Sequence, residues 1–262
     1  MAHQLVIWGL LFYAQRNGLK YTKALHPVNV LALLANLFFV FLHLGQTAIW
    51  YDGLAQDVAI WSAQGSVVIL LVLVLLMENP RRGLAFGVRA PGLKTAAEVT
   101  RRYHGYFFSW AVIYTFWYHP MEDTVSHLLG TFYTLLIMLQ GSLFYTRSHV
   151  ARGWTIWLEV MVVVHGAMVA WLSHNQWPMF FFGFLAIFVV TQMHGLGWPR
   201  WLRAIFVLAY VAAAVVVYAG KGLVPSVVEI MRIPAVEYGS VFVLALLLTA
   251  GARITQVLTA KT

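Results

Sequence analysis

The sequence predicts an all-α polytopic integral membrane protein, a bundle of about eight transmembrane helices with the N-terminus and C-terminus both cytoplasmic. Three observations predict it. Hydrophobic residues make up 61% of the chain and charged residues only 10%, against roughly one quarter charged in soluble domains. The apolar residues gather into runs long enough to cross about 30 Å of hydrocarbon. All eight prolines (Pro27, Pro80, Pro91, Pro120, Pro178, Pro199, Pro225 and Pro234) fall between these runs or at their edges, because helix interiors exclude proline and first turns accept it.

Taken in order, Leu5 to Tyr13 is too short to span, and Arg16, Lys20 and Lys23 follow it, so residues 1–24 read as an interfacial N-terminal segment. Met1-Ala2-His3-Gln4 has no basic region, and no small-residue cleavage site follows, so no cleavable signal peptide is expected. The eight spans are Val28 to Trp50, Val58 to Met77, Tyr103 to Tyr118, Thr124 to Tyr145, Trp154 to Ser173, Met179 to Gly197, Leu202 to Ala219 and Gly239 to Thr255. Between them lie two longer connections. Residues 79–102 form a basic cytoplasmic loop, and residues 220–238 an outer loop or lid, either a short surface helix or a cover over a cavity. No repeat or second domain interrupts the single membrane domain 1–262.

Direction follows from the excess of Lys and Arg on cytoplasmic loops. With the N-terminus inside, 15 of the 17 basic residues face the cytoplasm, and only Lys221 and Arg232 lie outside. The net charge of +8 therefore reads as a topology signal, with membrane lipids as the first partner and no nucleic acid expected. Partner subunits or a second copy of the chain are the other partners such a bundle would take. A bacterial inner (plasma) membrane is the expected location.

The chemistry concentrates on the hairpin from His104 to Arg147. Its outer turn is His119-Pro120-Met121-Glu122-Asp123, with His127 one helical turn later. Ionisable groups are costly at membrane helices and mark function by default. His43 in the outer half of the first span, Asp52 and Asp57 at the first outer turn, and His174 at the third belong to the same membrane face. Helical phase puts Asn36, His43 and Thr47 on one stripe, Asp57 over Gln64, and Asp123, His127, Gly130 and Thr134 on one face. There is no cysteine. Any bound metal must then use imidazole and carboxylate, a donor set suited to Zn, Fe, Cu or Mn. The expected ligands are His43, His119, Asp123, His127 and His174, with Asp123 or Glu122 as ligand or general base.

A second pattern points to haem b. His104 and His119 are fifteen residues apart, about 22 Å along a helix. With His174 at the outer level and His194 or His149 at the inner level they would form two stacked axial pairs for electron transfer across the membrane. A third reading is a transporter or channel lined by Asn36, His43, Gln64, Glu159 and His165. Glu159 is expected to pair with Arg152 or another cytoplasmic-side arginine.

The stretch EDTVSHLLG, Glu122 to Gly130, resembles the first motif of the progestin-and-adipoQ receptor and haemolysin III group. That group carries paired histidines in its last span, and no histidine follows His194 here, so its site residues are not carried over. The sequence thus supports a metal-binding membrane enzyme, or a metal-binding subunit of a membrane complex, acting on a lipid or small apolar substrate. The haem b carrier and the transporter are the alternatives.

Overall fold

A computed structural model describes residues 1–50, 58–119 and 123–259, which are helical and contain no strand. The helices are α1 (Ala2–Arg16), α2 (Pro27–Trp50), α3 (Ile60–Arg82), α4 (Lys94–Tyr118), α5 (Val125–Ser142), α6 (Arg152–Leu172), α7 (Trp177–Val190), α8 (Arg200–Tyr218) and α9 (Leu223–Thr259). Short 3-10 turns cover Pro91–Leu93 and Gln192–Gly195. Five stretches are long and apolar enough to cross a membrane: α2, α6, Trp177–Gly195, α8 and Leu223–Gln256. Helix α8 shows why such helices need lipid: only 6% of its most apolar window is buried, which water would penalise in proportion to the area exposed.

The chain divides into two compact units. The first comprises Met1–Leu70 and Tyr103–Leu158, the second Leu71–Arg102 and Glu159–Thr262. In the first unit, α1 buries His3, Gln4, Ile7, Leu11 and Ala14, a stripe at helical spacing. Ile7, Leu11 and Ala14 form a core with Val28, Ala32, Ile113 and Phe144. The N-terminal segment is therefore packed inside its unit along one face. Of the polar stripe expected on α2, His43 is buried, while Asn36 and Thr47 are half-buried; Asn29, Ala32 and Phe39 are also buried on this helix. On α5 the inward stripe is Gly130, Thr134, Met138 and Ser142. Backbone bonds from Thr22 to the Tyr145 carbonyl (3.1 Å) and from Arg147 to the Thr22 carbonyl (2.8 Å) tie the loop before α2 to the end of α5.

In the second unit, Phe182, Ile187, Met193, Val241 and Leu76 are buried together with a set of polar groups. Helices α7 and α9 approach closely at Gly183, where an added Cβ would come within 3.0 Å of the Ile233 side chain.

Two expected loops turn out to be partly helical. Within the basic connection 79–102, α3 runs to Arg82 with Pro80 inside it and α4 starts at Lys94, leaving residues 83–93 between them. Gly83 has φ +78°, and a Cβ there would meet the Gly87 carbonyl carbon at 2.4 Å, so that position requires glycine. The segment 220–238 is helical from Leu223 and continuous with the last span, with Pro225 in the first turn and Pro234 inside the helix. Charged ends such as Lys94 to Arg102 lower hydropathy without ending a helix, so apolar runs underestimate helix length.

Candidate functional site

The turn between α4 and α5 draws two histidines together. His119 follows the last residue of α4, and His127 occupies the third position of α5, whose N-cap is Thr124. Their rings stand 5.5 Å apart, edge to face. The Thr124 side chain accepts from the His127 amide (3.4 Å) and lies 2.7 Å from His127 Nδ1. That is an ordinary cap, in which a threonine oxygen satisfies an amide the helix cannot. It also corrects one expectation. Asp123 precedes the cap and is exposed, so it does not share a helical face with His127, and Thr124 is the group that meets the ring.

His43 is 2% exposed and reaches the same turn from α2. Its Nε2 donates to the His119 carbonyl at 3.0 Å, and its Nδ1 lies 3.1 Å from the Gln46 side-chain amide. Both ring nitrogens thus face protein groups, and the Nε2–H bond fixes the backbone of His119. His119 Nδ1 lies 3.5 Å from the Thr131 hydroxyl. Glu122, Asp52 and Asp57 fall outside the described residues, as does the side chain of Gln64.

At the other end of α4 stands a second pair, which the sequence placed only by depth. His104 and His149 have ring centres 5.9 Å apart at an interplanar angle of 32°. His149 lies in the connection after α5. Its Nδ1 donates to the Gln140 carbonyl (2.9 Å), so the proton is on Nδ1 and Nε2 carries the lone pair. The Gln140 side chain completes the cradle, donating to the His149 carbonyl (2.8 Å) and accepting from Trp154 Nε1 (2.6 Å). Burial, with His104 nearby, pushes the His149 imidazole well below its usual range, to about 4, against the opposing pull of the Gln140 carbonyl. A neutral, oriented imidazole is the form that ligates a metal.

The remaining predicted residues lie in the second unit. His174 is exposed in the α6–α7 turn at φ +53°. His194, in the 3-10 turn after α7, accepts at Nδ1 from the Arg203 guanidinium (2.8 Å). Its proton is therefore on Nε2, the tautomer least suited to axial ligation through that atom. Among the described residues, no three His, Asp or Glu side chains are placed to hold one metal ion. Of the five ligands read from the sequence, His119 and His127 have their rings together within the first unit, and His43 bonds the His119 carbonyl.

The second unit holds a buried ion pair. Arg82 binds Glu159 through both guanidinium nitrogens, Nη1 to Oε1 at 2.9 Å and Nη2 to Oε2 at 2.7 Å. The Arg82 side chain is fully buried. The partner foreseen for Glu159, a cytoplasmic-side arginine, is thus Arg82 and not Arg152. A small cavity with room for about one water lies beside Glu159 and Gln192.

No protein family, characterised protein or solved structure matches this chain.

Proposed function

We propose that the chain is a metal-binding protein of the bacterial plasma membrane, crossing it about eight times with both termini inside, and that its metal sits at the outer turn between α4 and α5. His119 and His127 supply the nitrogens. Asp123 and Glu122 are the nearest carboxylates in sequence, available as oxygen ligand or general base. The supporting observation is the 5.5 Å separation of the two rings. Imidazole nitrogens about 2.0–2.1 Å from one ion place their ring centres roughly 5 to 6.5 Å apart. His43, holding the His119 carbonyl, acts as the supporting group that such sites use to orient a ligand. Zn, Fe, Cu or Mn all suit the donor set. A site at that turn would serve a lipid or small apolar substrate, or a partner subunit. Elemental analysis of detergent-purified protein tests the reading: His127→Ala should lower bound metal by about 10-fold or more, and unchanged metal content removes it.

The second pair favours one other reading. His104 and His149 fit bis-imidazole ligation in spacing and in the tautomer of His149. With His119 about 22 Å further along the helix, the protein would carry haem b between the two membrane faces. A Soret band in the purified protein that disappears in His149→Ala selects this reading over the first.

A further inference from the structure

Glu237 is 2% exposed and lies within α9, in a stretch long and apolar enough to span a membrane. Its Oε2 has no hydrogen-bond partner. Six of the cations of the second unit have partners other than Glu237. Arg82 is held by both oxygens of Glu159. Lys221 pairs with Glu229, which also accepts from the Tyr218 hydroxyl at 3.1 Å. Arg232 reaches the Gln176 side chain at 3.4 Å. Arg203 donates to His194, and Arg81 pairs with Glu78. Arg101 donates to the Met77 carbonyl at 3.0 Å. Among the described residues, none of the ion pairs involves the Glu237 carboxyl.

Its neighbour on α9 is fixed. The Thr191 hydroxyl donates to the Leu84 carbonyl, so the Tyr238 hydroxyl is the donor in its 2.6 Å bond to Thr191. That arrangement leaves Tyr238 no proton to offer Glu237. Next to Thr191, Gln192 is 3% exposed, and its Oε1 also lacks a donor. Each partner of the Tyr238–Thr191 bond thus has, as its neighbour in sequence, a buried residue with an acceptor oxygen that lacks a donor.

A carboxylate cannot remain charged in such surroundings. The cost of burying an unpaired ion greatly exceeds that of protonating it at neutral pH, and the group neutralises instead. We propose that Glu237 is a proton-binding site within the membrane part of the second unit, occupied at neutral pH as the carboxylic acid and set apart from the histidine pairs of the first. The bound proton turns Oε1 or Oε2 into the donor that this part of the interior lacks. The ligand is the proton itself, as in membrane proteins that couple their work to proton movement.

The test uses the full chain in detergent or lipid vesicles with dicyclohexylcarbodiimide, an apolar reagent that adds to protonated carboxyls. Mass spectrometry should find the adduct on Glu237, falling at least 10-fold between pH 6 and pH 10, and absent from Glu237→Gln. The same variant, which mimics the protonated acid, should melt within a few degrees of the natural protein. No adduct on Glu237 at pH 6 overturns the proposal. So does an adduct that does not fall as pH rises, or a loss of more than about 10 °C in Glu237→Gln, which would mean that the charged form has partners the variant removes.

Discussion

The two units handle buried polar groups in opposite ways. In the first, a chain of hydrogen bonds runs unbroken from a donor to a backbone carbonyl. Trp117 Nε1 donates to His3 Nδ1 (3.3 Å), His3 Nε2 donates to Asn36 (2.7 Å), Asn36 donates to Ser142 (2.8 Å), and Ser142 returns its proton to the Met138 carbonyl (2.9 Å). The chain links α1, α2, α4 and α5, and burial holds His3 below its usual pKa range, in the neutral form the chain requires. Asn29 adds two more bonds, to the Ser142 and Phe144 carbonyls. In the second unit Arg82 and Glu159 neutralise each other, while Glu237 and Gln192 keep oxygens without donors. A satisfied network fixes one arrangement of helices. An unsatisfied acidic oxygen stores a preference for a ligand, here a proton.

The largest expected effect separates charge pairing from packing in the second unit. Arg82→Met leaves the Glu159 carboxylate buried and alone, at a cost of about 3–5 kcal/mol, read as a marked fall in melting temperature. The double variant Arg82→Met/Glu159→Leu should recover most of it, and a double variant no more stable than the single one breaks the assignment. The first unit offers a smaller effect. His3→Ala strips Asn36 and Trp117 of their partner and should cost about 1–3 kcal/mol, with Arg82 untouched. A melting temperature unchanged by His3→Ala would show that this chain of bonds does not hold α1. A third effect is a pH dependence. The His149 value of about 4 lies below the usual 6.5, so the unfolded chain takes up a proton first as pH falls. Stability from this group is complete above pH 6.5 and is lost progressively down to about pH 4. Melting scans from pH 7 to pH 4.5 should show the decline, and His149→Gln should flatten it.

Much of the first unit was legible in the sequence. The α2 stripe through Asn36 and His43, and the α5 face through Gly130 and Thr134, are the faces the structure buries or bonds. What periodicity could not supply was the position of the cap. Thr124 starts α5 one residue too late for Asp123 to join the helical face. The pairing of His149 with His104 was equally hidden, since His149 lies in a turn with no phase. In the second unit, Glu159 was foreseen as an ion-pair acid, but Arg82 was assigned to a cytoplasmic loop because Pro80 reads as a helix stop. Glu237 was assigned to an outer loop for a similar reason, since Pro234 stands three residues before it inside one continuous helix.

That helix has a geometric consequence. Thirty-seven residues extend about 55 Å, while the hydrocarbon is about 30 Å thick and tilts rarely exceed about 40°. Even at that tilt, roughly ten residues must stand clear of the apolar slab. Glu229, Lys221 and Arg232 lie towards the end that begins at Leu223. Set across a bilayer, the final segment would stand as a long strut with a charged foot at the headgroup layer, and its depth would set how far Glu237 stands from water.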